Sequence, residues 1–269
     1  MSPARSFVLL AAALSVAACG RSSSAAPAGA SASAAPAAEN RAAAAHAGPE
    51  AAGVRYEVKL FGGATSADRV PMIVAMHGMG DSPEGFGHTF SKLTARVRVV
   101  LPYGLLRYEP THGYRWFDTG KRDDAAFSAG VREAAPKLVA FLDAITRELP
   151  TVGKPIVTGF SQGATMTQAL AVLAPDRIEL AVPVSGFLPK GVTPERMPAG
   201  ARTPEVFVLH GEDDDIVPIG WDEAGVAALQ RLGFHVVLER YPGVKHVFGS
   251  EEYAAYLALL DDTAARIAK

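Results

Sequence analysis

The chain has 269 residues, 26 of them basic and 28 acidic. That length suits one sizeable α/β domain and is too short for two large ones. With no Lys/Arg block or basic stripe, nucleic acid is not an expected partner, and a single cysteine, Cys19, excludes an internal disulfide and a cysteine metal cluster.

Arg5 gives the chain a short positive start, followed by the apolar stretch Phe7–Leu14 and by Val16-Ala17-Ala18-Cys19. The apolar stretch has signal-peptide length and is too short for a membrane anchor. The end of it resembles a bacterial lipobox, cut before Cys19 with lipid on the thiol. The alternative is an ordinary secretory signal cut near Ala18. Residues 1–18 are therefore expected to be a signal peptide and Cys19 a lipidation site that ties the protein to a membrane. Gly20 is not the aspartate that marks inner-membrane retention, so an outer-membrane envelope location is expected. Residues 19–53 are rich in Ala, Ser, Pro and Gly and read as a disordered tether. The folded domain is expected over 54–269.

Val54–Leu60 alternates apolar and polar residues, as an edge strand does. Pro71–Met76 is continuously apolar, which suits a central parallel strand, and leads into His77-Gly78-Met79-Gly80-Asp81-Ser82. A helix is expected over Pro83–Arg96 and a strand over Val97–Leu101. The aromatic segment from Pro102 to Asp124 reads as irregular. Asp123–Leu149 is helical in composition, with a break or kink expected at Pro136. Ile156-Val157-Thr158 suits a buried strand, and the helix-permissive run Ala164–Leu173 follows it. Then come strand Ile178–Ser185, a Pro-rich loop, strand Glu205–His210, helix Trp221–Leu232, strand His235–Tyr241 and closing helix Glu251–Ile267. This alternation predicts an α/β fold with a mostly parallel central sheet and helices on both faces.

Between the strand at 156–158 and the helix from Ala164 stands Gly159-Phe160-Ser161-Gln162-Gly163. Strand, G-x-S-x-G, helix is the nucleophile elbow of α/β-hydrolases. A Cβ on either glycine would strike the neighbouring strand or helix, and the tight turn pushes the Ser161 hydroxyl outward. A serine hydroxyl needs a base, the base needs an orienting carboxylate, and the developing oxyanion needs two N–H donors. The backbone N–H of Gln162 supplies one donor. The loop after His77-Gly78 supplies the other, best placed at Met79. Asp213, Asp214 and Asp215 follow a strand end, and spacing does not choose among them. For the base, His210 precedes the acids, His235 starts a strand, and His46, His88 and His112 precede the serine. His246, in a loop before the last helix, completes the order Ser, acid, His expected for this fold. Three consecutive acids point in different directions and do not match a calcium loop, so no metal or cofactor is expected.

Taken together, His77-Gly78-Met79-Gly80-Asp81-Ser82, Trp116-Phe117-Asp118, Gly159-Phe160-Ser161-Gln162-Gly163-Ala164 and His210-Gly211-Glu212-Asp213-Asp214-Asp215-Ile216-Val217-Pro218 resemble the phospholipase/carboxylesterase group that includes the acyl-protein thioesterases. The resemblance runs from about Pro71 to the C-terminus and implies an α/β-hydrolase fold. It implies Ser161, Asp214 and His246 as catalytic residues and Met79 and Gln162 as oxyanion donors. Ala164 stands where that group usually has a glycine, and residues 104–113 have no counterpart in it. The expected activity is hydrolysis of carboxylic esters or thioesters with an apolar acyl group, and Trp116 and Phe117 are expected in the acyl pocket. An exported polyester or aryl-ester depolymerase and a lysophospholipase are alternatives within hydrolases. A catalytically silent envelope lipoprotein is the alternative outside them.

Overall fold

The computed structural model describes residues 48–121 and 123–269. The expected signal segment, Cys19 and most of the expected tether lie outside the described residues. The described residues form ten strands: β1 (Glu50–Ala51), β2 (Val54–Phe61), β3 (Met72–Met76), β4 (Val97–Pro102), β5 (Leu106–Tyr108), β6 (Gly113–Arg115), β7 (Ile156–Phe160), β8 (Leu180–Val184), β9 (Glu205–Gly211) and β10 (Val236–Tyr241). Eight of them make one sheet in the order β1-β2-β4-β3-β7-β8-β9-β10. From β4 to β10 every pairing is parallel, while β1 with β2 and β2 with β4 are antiparallel.

Among the described residues the α-helices are α1 (Pro83–Gly87), α2 (Asp124–Glu148), α3 (Gln162–Leu173), α4 (Ile219–Arg231) and α5 (Ser250–Ile267). The continuous apolar runs of the central strands serve two cores, because successive side chains leave opposite faces. Met72, Val74, Met76, Val157 and Ala181 pack with α2, α3 and α4 on one face. Ile73, Ala75, Ile156, Val182 and Val184 pack with α1 and α5 on the other. Helix α3 is buried at every position but Leu173, which is why its sequence shows so little polar patterning.

Several elements differ from the sequence expectation, each for a physical reason. The fold begins before Val54: Ala51 is buried, Glu50 and Ala51 pair with Arg55 and Val54, and Tyr56 N–H donates to the Pro49 carbonyl at 3.0 Å. The helix expected over Pro83–Arg96 stops at Gly87 and passes through a 3₁₀ turn, His88–Phe90. The N–H groups of Thr94 and Ala95 turn instead to the Asp261 carboxylate on α5, at 3.1 and 2.9 Å. Helix α2 runs through Pro136 for 25 residues. Pro136 and Arg132 both face solvent, so water can take the carbonyl that the missing proline N–H leaves free. Finally, the segment read as irregular contains a hairpin, β5 with β6, closed at His112 with φ 56°.

That hairpin braces the loop after β3. Gly80 N–H donates to the Tyr114 carbonyl at 2.7 Å, Tyr114 N–H donates to the Asp81 carbonyl at 2.9 Å, and Thr111 Oγ1 donates to the Gly80 carbonyl at 2.6 Å. In the sheet, Met76 lies beside Gly159, Phe160 beside Val184, and Gly211 beside Tyr241. The carboxyl ends of five parallel strands therefore stand level, and their loops meet at one edge, where open α/β sheets place their sites.

Candidate active site

Strand β7 ends at Phe160 and α3 begins at Gln162, so a single residue makes the turn. Ser161 takes φ 54° and ψ −116°, a sparsely populated conformation costing on the order of 1–3 kcal/mol. Hydrogen bonds on both sides hold it there. Its N–H donates to the Val184 carbonyl at 2.9 Å, and its carbonyl accepts the Thr165 N–H at 3.0 Å. A Cβ on Gly159 would lie 2.5 Å from the Gly163 carbonyl carbon, and one on Gly163 would run into the Met76 carbonyl. Strand β3, the elbow and α3 thus meet backbone to backbone. Ala164 fits in place of the group's usual glycine because Gly186 has no Cβ; one built there would lie 2.5 Å from the Ala164 methyl.

Ser161 Oγ is 2.8 Å from His246 Nε2, and His246 Nδ1 is 2.7 Å from Asp214 Oδ2. Asp214 is buried, whereas Asp213 and Asp215 are exposed. The turn after β9 selects Asp214, because its Oδ1 accepts the N–H groups of Ile216 and Val217 at 2.9 and 2.8 Å. An acid that accepts three N–H donors acts as an ionised carboxylate. It fixes the His246 proton on Nδ1 and leaves the Nε2 lone pair toward Ser161. The Phe160 ring lies 4.9 Å from the His246 ring and 5.2 Å from Phe248, which limits rotation of the imidazole.

Met79, Ser161 and Gln162 line one cavity. The Gln162 N–H opens α3 and belongs to the N–H groups a helix start leaves without an intrahelical partner. The direction of the Met79 N–H is set by a residue outside the sequence expectation, His77. Its Nε2 accepts the Gly104 N–H at 3.2 Å, so Nδ1 carries the proton and donates to the Gly78 carbonyl at 2.7 Å. Burial lowers the His77 pKa, which keeps the ring neutral. The Gly78 carbonyl and the Met79 N–H belong to one trans peptide and point opposite ways, so holding the carbonyl aims the N–H.

Phe117 lines the same cavity, but Trp116 does not. Trp116 is buried at 1% exposure, its indole N–H donating to the His77 carbonyl at 2.8 Å. The Gln162 side chain links this segment to the elbow, accepting the Trp116 N–H at 2.7 Å and donating to the Phe117 carbonyl at 3.0 Å. Trp116 is thus a brace for the site, a correction to its expected place in the pocket. Three further lining residues, Phe127, Phe187 and Trp221, come from distant elements that pattern and spacing do not connect. Their rings pack edge to face or tilted, with centroids 5.1–6.3 Å apart.

A largely parallel sheet flanked by helices, with a serine on a strained strand-to-helix turn, defines an α/β-hydrolase. The model of the phospholipase/carboxylesterase family matches residues 64–261, and the chain belongs to that family. It is 29% identical to acyl-protein thioesterase 1 of Debaryomyces hansenii, over 74% of this chain and 94% of that protein. It is likewise 29% identical to a probable carboxylesterase of Oryza sativa subsp. japonica, over 70% of this chain and 76% of that one. Among solved structures, esterase PE8 superposes with a TM-score of 0.62 at 25% identity, covering 76% of this chain and 99% of the other. The chain is accordingly a serine hydrolase of the carboxylesterase and thioesterase type.

Proposed function

We propose that Ser161, His246 and Asp214 form a catalytic triad that cleaves short-chain carboxylic esters or thioesters through an acyl-enzyme. The observation that carries this is the unbroken hydrogen-bond chain from Asp214 through His246 to Ser161, at 2.7 and 2.8 Å. His246 takes the Ser161 proton as Oγ attacks the acyl carbon, and Asp214 stabilises the imidazolium. The Met79 and Gln162 N–H groups receive the oxyanion. His246 then protonates the leaving alkoxide or thiolate, and a water activated by the same imidazole frees the acid.

The acyl length follows from the cavity beside Ser161, whose volume is about 60 Å³. That is well short of the about 150 Å³ cavity that takes a benzene. The walls are apolar, and Phe127, Phe187 and Trp221 close them. A pocket this small and this closely lined by aromatic rings favours short acyl groups over long ones. Met79, Ile216, Trp221 and Val247 are exposed apolar side chains, three of them lining this cavity and Val247 adjacent to His246 in sequence, which suits a hydrophobic alcohol or thiol portion. The test is a series of p-nitrophenyl esters and matched thioesters. From butyrate to octanoate kcat/KM should fall about tenfold or more, as lost acyl fit costs about 1.4 kcal/mol or more in the transition state. Phe187→Ala should restore much of the octanoate rate. Octanoate or palmitate turned over faster than butyrate by the unaltered enzyme would refute the short pocket.

We further propose that the enzyme is exported and held at a membrane by lipid on Cys19. Among the described residues no helix is long and apolar enough to cross a membrane, so membrane attachment would depend on the segment around Cys19. Cys19→Ser should move the protein from the membrane fraction to the soluble fraction of the cell. Unchanged membrane retention would overturn the anchor.

A further inference from the structure

Behind Asp214 lies a second histidine–carboxylate contact that the hydrolytic mechanism does not use. His210 at the end of β9 and Asp222 in the first turn of α4 are both fully buried. His210 Nδ1 is 2.8 Å from Asp222 Oδ2, and Gln168 Nε2 on α3 donates to Asp222 Oδ1 at 2.5 Å. On its other side, His210 Nε2 is 2.9 Å from the Val217 carbonyl and 3.5 Å from Asp214 Oδ2. Val217 is the residue whose N–H holds Asp214 Oδ1. The chain therefore runs from the elbow helix, through α4 and β9, into the turn that carries the acid.

We propose that Gln168, Asp222 and His210 form a buried positioning relay, in which a His210 imidazolium fixes the 214–217 turn and sets a positive charge behind Asp214. This rests on Ser161, His246 and Asp214 acting as proposed above. His210 Nε2 faces the Val217 carbonyl and Nδ1 faces Asp222 Oδ2, so an ionised Asp222 requires an N–H on both ring nitrogens in this dry interior. Asp222 Oδ1 accepts from Gln168, and Oδ2 accepts from a ring that carries both protons. Burial works against a charged ring, but the hydrogen bond and charge of Asp222 outweigh it, and the Val217 carbonyl and Asp214 add to them, so the His210 pKa is raised. Burial pushes the Asp222 carboxyl up as well. The pair thus shares a proton, and the Asp214 carboxylate, with Oδ2 3.5 Å from Nε2, favours its place on the ring. The other groups that act on His210 are Asp214 in the loop after β9 and Glu252 on α5, whose own pKa burial raises; His246 lies beyond Asp214. A positive charge next to Asp214 competes with a His246 imidazolium for the same carboxylate.

Three variants separate this from a purely structural role. Asp222→Asn removes the counter-charge, so that His210 sheds its proton. His210→Gln can still donate to the Val217 carbonyl and removes only the charge. Gln168→Met touches neither His210 nor Asp214 and serves where Asp222→Asn does not fold. An NMR titration of the His246 ring should show its pKa rising by about half a unit or more in the first two, and by less in the third. The acid limb of kcat/KM for p-nitrophenyl butyrate should move up in pH by the same amount. At neutral pH kcat should fall about tenfold in Asp222→Asn, with KM changed less than about twofold. Unmoved His246 titration in folded His210→Gln and Gln168→Met would overturn the relay, whatever the loss of thermal stability. The titration needs no turnover: a shifted His246 in a protein without esterase activity would count against the esterase reading alone.

Discussion

Replacing Ser161 by alanine is expected to lower kcat for p-nitrophenyl butyrate roughly a million-fold and to abolish labelling by a fluorophosphonate probe. The size follows from how the site is built. Ser161 Oγ is bonded to His246 Nε2 at 2.8 Å on a turn whose strain serves to present that oxygen. Without Oγ no acyl-enzyme forms, and only the oxyanion donors and substrate binding remain, worth about 10³–10⁴ over water. His246→Ala should cost about as much, because Oγ without its base is an ordinary alcohol. The double variant should be no worse than either single one, since the two side chains act as one unit. Site mapping by mass spectrometry should find the probe on Ser161 in the unaltered protein. A folded, unaltered protein that takes no label would leave the silent, ligand-binding lipoprotein as the better reading. Folding itself should be little disturbed by Ser161→Ala, since the alanine keeps the Cβ already tolerated there and the backbone bonds to Val184 and Thr165 remain.

Much of this was legible in the chain because the fold writes its own periodicity. Buried parallel strands are mostly apolar, and Met72–Met76 and Leu180–Val184 are continuously so, while Val97–Pro102 is interrupted only by the buried Arg98. The elbow was legible because backbone contact at Gly159 and Gly163 excludes every other residue there. What escaped the sequence was set by tertiary contact. The hairpin at Leu106–Arg115 carries no strand-length apolar run; β5 is exposed or half-buried, and β6 is held by the bonds of Tyr114 to Gly80 and Asp81. Trp116 looks like a pocket residue because it is aromatic and near the site in sequence, yet its indole N–H is committed to the His77 carbonyl. Asp222 and Gln168 sit in helices where an exposed polar residue would be unremarkable, and nothing local shows that they meet at a buried histidine. The choice among three adjacent aspartates was of the same kind, since only the folded turn decides which one points inward.

That choice leads to the sharpest test. Asp214→Asn is expected to lower kcat about 10⁴-fold, while Asp213→Asn and Asp215→Asn stay within about twofold. The asparagine is nearly the same shape, and its carbonyl oxygen can still accept the N–H groups of Ile216 and Val217, so the turn should hold. The amide nitrogen then faces His246 Nδ1, 2.7 Å away in the native arrangement. An amide N–H donates, so Nδ1 must accept, and the imidazole proton moves to Nε2. Nε2–H points at Ser161 Oγ and cannot take its proton. The base is lost through its tautomer, with the fold intact and substrate binding, hence KM, nearly unchanged. Among the described residues Asp213 has no such partner, and Asp215 faces the exposed Lys245 ammonium at 3.8 Å, a contact worth little in water. Equal losses across the three variants would mean that the carboxylates act through the charge of the loop. A loss confined to Asp214→Asn, with unchanged thermal stability, would place the effect on the hydrogen bond to His246.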